Sequence, residues 1–185
     1  MIRPCNAADV PVMFEIINDA ARAYGGVIPA DCWNEPYMSE DELRREIEDR
    51  VEFWGVEEDG LLVAVMGIQH VLDVSLIRHA YVRTALRQTG IGAKLLGALR
   101  VQTSRPLLVG TWSAASWAVR FYEKHGFRLV TPDEKDRLLK KYWNISDRQV
   151  QTSVVLADEK WFEKTRKDGI LGKDKMKTQY SNIPA

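Results

Sequence analysis

Apolar residues near the start of the chain recur at helical spacing, with Val12, Ile16, Ala20 and Ala23 in one row and Met13, Ile17 and Ala21 in the next. The pattern predicts a core-facing helix from Asn6 or Asp9, either of which suits a cap, to about Tyr24, closed by Gly25 and Gly26. Met1 to Pro4 reads as a strand ahead of it. From Val27 to Ser39 the period is lost, and Pro29, Trp33, Pro36, Tyr37 and Met38 mark an aromatic-rich loop. Ser39 followed by Glu42 is a capping-box signature, predicting a helix through Leu43 and Ile47 to about Asp49. Two β-branched runs, Val51 to Glu57 and Leu61 to Val71, flank Glu58-Asp59-Gly60, a hairpin turn. Leu72 and Asp73 lead into a third strand ending at Val82. Alternation in that strand places Ile77, His79 and Tyr81 on one face and Leu76, Arg78, Ala80 and Val82 on the other.

Beyond Val82 the period changes. Ile91, Leu95, Leu96 and Leu99 describe one face of a helix, so residues 87–94 form a turn from strand to helix. Leu107 to Trp112 reads as a buried strand, and Ala118 to Gly126 as a helix ending at glycine. Arg128 to Thr131 starts a strand, and Pro132 to Trp143 carries Leu138, Leu139 and Tyr142 at helical spacing. Gln149 to Ala157 is predicted as the last strand. From Asp158 a short helix is expected, then a disordered, solvated tail after Lys167, with seven Lys/Arg against five Asp/Glu over residues 158–185.

Composition narrows the class. A chain of 185 residues suits one domain. Its 26 basic and 26 acidic residues leave no net field to argue for nucleic acid or a membrane surface. No apolar run approaches a membrane span and nothing at the start resembles a signal peptide, which points to the cytoplasm. Cys5 and Cys32 form no spaced cluster and are expected as reduced thiols, and no metal site is expected.

The candidate chemistry lies in Arg87-Gln88-Thr89-Gly90-Ile91-Gly92-Ala93-Lys94. Gly90 and Gly92 allow a ligand close to the main chain, and the first amides of a helix have no intrahelical partner while the dipole adds positive potential, so a phosphate fits there. A tight turn without a ligand is the competing reading. Neither the P-loop nor the dinucleotide fingerprint is complete. Arg87, Gly90 and Gly92 instead resemble the Arg/Gln-x-x-Gly-x-Gly/Ala pyrophosphate loop of the GNAT superfamily of N-acetyltransferases. Ala118 to Phe127 resembles that superfamily's Ala-x-x-Phe/Leu-Tyr-x-x-x-Gly-Phe segment, through Ala118, Phe121, Tyr122, Gly126 and Phe127. Many members carry Asn seven residues before the tyrosine. Here Ala115 stands there, with Ser113 or Ser116 expected to cap the helix in its place.

The resemblance covers residues 1–157 and implies an α/β fold of the α+β type, a mixed, mostly antiparallel sheet of about six or seven strands flanked by helices. It implies that the strand ending at Val82 splays from the next one and that an acetyl-CoA arm enters the cleft. The implied reaction is acetyl transfer from acetyl-CoA to the primary amine of a small molecule, an amino acid or related metabolite. A protein or peptide acetyltransferase and a non-catalytic CoA-binding domain are the alternatives. By resemblance Tyr122 protonates the leaving thiolate. His79 is the first candidate for the base, with Asp73, His70 or water in reserve, although a lone strand histidine is more often structural. The resemblance assigns Tyr81, Val82, Arg87, Gln88, Thr89, Gly90, Ile91, Gly92, Ala93, Lys94, Phe121 and Lys124 to the cofactor. Trp33, Tyr37, Met38, Gln69 and Trp112 are the acceptor candidates, with packing as a lid on the core the alternative for the three loop residues Trp33, Tyr37 and Met38. Members often dimerise, so a homodimer is also implied.

Overall fold

Seven stretches, β1 (Ile2–Pro4), β2 (Val51–Glu58), β3 (Leu61–Val71), β4 (Val74–Val82), β5 (Leu107–Trp112), β6 (Arg128–Leu129) and β7 (Ser153–Ala157), pair into one sheet in the order β1-β2-β3-β4-β5-β7-β6. The computed structural model describes residues 1–180, the last eleven by backbone alone. Every neighbouring pair is antiparallel except β4 and β5, so the sheet is mixed and mostly antiparallel, as expected. The β2–β3 hairpin turns on Asp59 and Gly60, both at positive φ, which matches the twist of the flanking strands.

Helices α1 (Val10–Ala21), α2 (Glu40–Glu48), α3 (Ile91–Arg100), α4 (Ser116–Lys124), α5 (Pro132–Tyr142), α6 (Asp147–Thr152) and α7 (Glu159–Tyr180) complete the described chain. One face of the sheet packs Ile68, Ile77 and Val109 against Ile91, Leu95, Leu96 and Leu99 of α3 and Tyr122 of α4. On the other face, Phe53, Leu62 and Val65 pack against Met13, Ile16 and Ile17 of α1 and Leu43 of α2. Further along that face Leu76, Leu108 and Val155 pack against Leu138, Leu139 and Tyr142 of α5.

Four sequence expectations are corrected. Residues 149–152 are helical, not strand: the Ser146 hydroxyl accepts from Gln149 N while the Gln149 side chain accepts from Ser146 N, a capping box that outweighs the β-branched run behind it. Neither Ser113 nor Ser116 caps α4, whose N-cap is the buried Ala115 without a side-chain acceptor, while the Ser113 hydroxyl donates to Thr152 O. The tail does not end its helix after Lys167; α7 runs to Tyr180, its first turn docked by the buried Trp161, and residues 181–185 lie outside the described residues. The fourth correction is the alternation of β4.

Register gives its cause. Val65 pairs with Tyr81 and Gly67 with Arg78, so His79 and Ala80 together oppose Met66 in a β-bulge, with His79 at φ +48°. Gly67 is required beside it, since a Cβ there would lie 2.5 Å from Val51 Cγ1 and 3.2 Å from Arg78 O. The extra residue reverses the parity of the rest of the strand. Ile77, Ala80 and Val82 pack on the α3 side, whereas Arg78, His79 and Tyr81 turn toward α1 and α2.

The edge strand β1 is fixed by charge. Arg3 makes two hydrogen bonds to Asp9, at 2.8 and 2.9 Å, and one to Glu57 at 2.8 Å, and Asp9 also accepts from Asn6 N at 2.8 Å. The Arg3 guanidinium, opposed by burial and helped by the Asn6 amide, holds the Asp9 carboxyl below its usual range. A depressed folded-state pKa means that the stabilisation is complete above the unfolded carboxylate value near 4 and is lost as pH falls through the folded value. Asp9→Asn is expected to cost about 1–3 kcal/mol at neutral pH and to flatten the acid limb of Tm against pH. An unchanged acid limb would show that the pair contributes nothing.

Candidate functional site

The sheet opens where its parallel pair separates. β4 and β5 are in register at Ser75–Leu107, Leu76–Leu108 and Ile77–Val109, and beyond this no pairing joins the two strands. A cavity of about 720 Å³ occupies the wedge and reaches both faces of the sheet.

At one end lies the start of α3. Gly90 is its N-cap at φ +87°, with open space where a Cβ would point and no side-chain cap, so the first amides of the helix remain as donors at the cavity wall. Gln88, also at positive φ, lines the same wall. The loop is held to α1: Asp19 accepts from Thr84 N at 2.7 Å, and Arg87 Nη2 donates to Ala20 O at 2.8 Å. One arm of the Arg87 guanidinium is therefore engaged by the carbonyl end of α1, and the rest stays at the cavity. Phe121 packs against Gly92, and Lys124 stands one turn further along α4.

In the middle sits Tyr122, 5% exposed, wedged edge-on between Phe121 and Phe127 at ring separations of 5.1 and 5.6 Å. Its hydroxyl has no hydrogen-bond partner among the described residues, and burial pushes its pKa up, so the phenol is protonated at neutral pH. The bulge brings His79 to the same cavity from the α2 side. Its ring stacks on Phe53 at 5.7 Å, and Nε2 lies 3.1 Å from Glu46 Oε2, near enough for an ion pair but off-line for a hydrogen bond. Burial opposes ionisation of Glu46, yet His79 and Arg78 outweigh it and hold the carboxyl below its usual range.

The far end is aromatic. Tyr24, Tyr37, Tyr81, Trp112, Trp117 and Trp143 line it, with Tyr24 stacked on Tyr37 at 5.5 Å and Trp112 Nε1 donating to the Tyr37 hydroxyl at 2.9 Å.

Comparison with known proteins places this arrangement. The sequence profile of the acetyltransferase (GNAT) domain matches residues 18–140, well over half of the chain. The chain belongs to the GNAT acetyltransferase family. No curated protein matches. Among solved structures, PaiA N-acetyltransferase from Thermoplasma acidophilum, crystallised with coenzyme A, superposes with a TM-score of 0.64 at 17% identity over 85% of this chain and 97% of that one. The ribosomal-protein-S18-alanine N-acetyltransferase from Escherichia coli gives 0.61 at 18% over 85% and 92%. N-acetylglutamate synthase from Neisseria gonorrhoeae, complexed with coenzyme A and L-arginine, gives 0.57 at 18% over 85% of this chain and 32% of that one.

Within this GNAT fold most of the singled-out residues converge. Tyr122 and His79 line the cavity, as do Tyr81, Val82, Arg87, Gln88, Gly90, Ile91, Gly92, Ala93, Phe121, Lys124, Tyr37 and Trp112. Four do not. The Thr89 hydroxyl donates to Leu86 O at 2.7 Å, and Lys94 is exposed on α3. Trp33, outside the cavity lining, packs tilted against Tyr37 at 5.7 Å, and Gln69 is spent at the sheet end, donating to Asp49 O and accepting from Arg78, each at 2.8 Å. Met38 is buried against α1, so that residue of the loop packs as a lid.

Both reserve bases lie elsewhere. His70 Nδ1 is bonded to the Ser75 hydroxyl at 2.8 Å. Asp73, bound by Lys164 and by Tyr142, is lowered to about 2. Sequence reasoning missed Tyr24, Trp117, Trp143 and Glu46. Only Trp117, four residues before Phe121 and hence on the same face of α4, carried a local signal. No group of three His, Cys, Asp or Glu that could hold a metal occurs among the described residues, nor is any of their helices long and apolar enough to cross a membrane.

Proposed function

We propose that this chain is an acetyl-CoA-dependent N-acetyltransferase that acetylates the primary amine of a small molecule by direct attack in a ternary complex. The observation that carries the reading is the meeting, in one cavity, of uncapped helix amides, a splayed strand pair and a buried, unpartnered phenol.

The residues fit acetyl-CoA. The amides of Ile91, Gly92 and Ala93 face a diphosphate, with the remaining Arg87 donors and Lys124 adding charge. The unpaired edges of β4 and β5 offer main-chain groups to the pantetheine arm, as an added strand would. Holding the amine and thioester in near-attack geometry accounts for about 7–11 kcal/mol of barrier lowering. A main-chain amide near Val82 receives the charge that develops on the carbonyl oxygen. His79 takes the proton of the incoming ammonium, and the Glu46 carboxylate stands ready to balance the imidazolium that results. Tyr122 gives its proton to the departing sulfur.

The test is release of free thiol from acetyl-CoA with amines and with peptides. Amine-dependent release supports the reading. Release with peptides alone favours a protein acetyltransferase, and saturable acetyl-CoA binding without release favours a non-catalytic domain. His79→Gln should flatten the acid limb of kcat/KM against pH and lower its plateau by about 10²-fold; an unaltered profile removes His79 from proton transfer.

A further inference from the structure

Resting on the acetyltransferase reading, we infer that the acceptor is an amine carried on an aromatic or bulky apolar body, with neither a second ammonium nor a carboxylate beside the reacting nitrogen. The far end of the cavity shows this in three ways.

Its wall is made of rings. Tyr24, Tyr37, Trp112 and Trp143 come from the turn after α1, the aromatic loop, β5 and the segment after α5, and Leu139 and Ile145 line the same cavity. The rings are held in place by each other: Tyr24 stacks on Tyr37 and meets Trp117 at a tilt at 5.6 Å, while the Trp112 indole N–H is spent on the Tyr37 hydroxyl. Rigid aromatic faces favour a flat or bulky apolar group and tolerate one cation against their π surface.

The wall also carries no negative charge. No Asp or Glu lines the cavity among the described residues. The phenols do not supply one, since burial raises Tyr24, Tyr37 and Tyr81 above the ordinary tyrosine range. A polyamine would bring a further ammonium that must be desolvated with nothing to pair it.

The positive groups are engaged as well. Arg78 lines the cavity, but its guanidinium is bonded to both oxygens of Glu46, at 2.8 and 2.7 Å, and to Gln69. Arg87 lies near Tyr24, bonded to Ala20 O at 2.8 Å, but in the proposed complex its remaining donors and Lys124 are given to the diphosphate, and the exposed pair Arg148–Asp31 is closed on itself at 2.8 Å. An acidic amino acid would find no uncommitted cation for its carboxylates among the described residues of this wall.

The experiment is thiol release from saturating acetyl-CoA with four probes: 2-phenylethylamine, spermidine, L-glutamate and an alanine-initiated hexapeptide, alongside calorimetric titration of acetyl-CoA alone. The expected result is a kcat/KM for 2-phenylethylamine at least tenfold above each of the others. Trp112→Ala and, separately, Trp143→Ala should raise its KM about tenfold while the acetyl-CoA Kd stays within twofold of the parent. The second variant guards against a fold lost in the first. Preference for spermidine, glutamate or the peptide, or turnover of no probe by protein that binds acetyl-CoA, overturns the inference and leaves the coenzyme assignment standing. Absence of acetyl-CoA binding by folded protein overturns both.

Discussion

Tyr122→Phe lowers kcat by about 100-fold and leaves the Kd for acetyl-CoA within twofold of the parent, as measured by thiol release and calorimetry. The size follows from general acid catalysis, in which a positioned proton donor contributes about 10²–10⁴-fold, so the lower figure corresponds to about 2.7 kcal/mol of transition-state stabilisation. The structure makes this a clean substitution. The Tyr122 hydroxyl bonds to no other described residue, and the ring is fixed by edge-on contacts with Phe121 and Phe127 that a phenylalanine keeps. Stability should therefore be unchanged or slightly higher, because a buried polar group is removed without orphaning a partner. Unaltered turnover would mean that the leaving sulfur obtains its proton elsewhere.

Gly92→Glu raises the Kd for acetyl-CoA at least 100-fold, or abolishes binding, with a far-ultraviolet spectrum like the parent's. A Cβ at this position would meet the Phe121 ring at 3.5 Å and Val82 Cγ2 at 3.7 Å, which is ordinary contact, so the backbone admits a side chain. The carboxylate beyond it enters the cavity at the start of α3, where it satisfies the helix amides and dipole in place of a diphosphate and repels one. Gly92→Ala, lacking the charge, serves as the control and should weaken binding far less. Equal affinities for the alanine and glutamate variants would refute the assignment of this turn to the coenzyme.

What could be read from the chain was whatever neighbouring residues decide among themselves. The glycine turn at 90 and 92, the Asp59-Gly60 hairpin and the Ser39 to Glu42 cap each lie within a few residues and were legible. Two local signals competed over residues 146–155. The Ser146 and Gln149 capping pair takes residues 147–152 into a helix, and the β-branched run keeps only residues 153–157 as strand. The bulge at His79 was out of reach because its cause lies on the opposite strand, where Gly67 leaves room for Arg78. With the bulge went the side of β4 that His79 and Tyr81 occupy and the approach of Glu46. The aromatic wall is illegible for a related reason. Tyr24, Trp112 and Trp143 are brought together by tertiary packing, and no spacing in the chain records it. The GNAT motifs marked the coenzyme end, which is built from consecutive residues, and said little about the acceptor end, which is not.

The parity change in β4 has a kinetic corollary. Since the strand sends Ile77, Ala80 and Val82 one way and Arg78, His79 and Tyr81 the other, it stands as a partition with a doorway in it. Under the proposed reaction the coenzyme and the amine meet across this one strand in a single cavity, so initial-rate lines with both concentrations varied should intersect rather than run parallel.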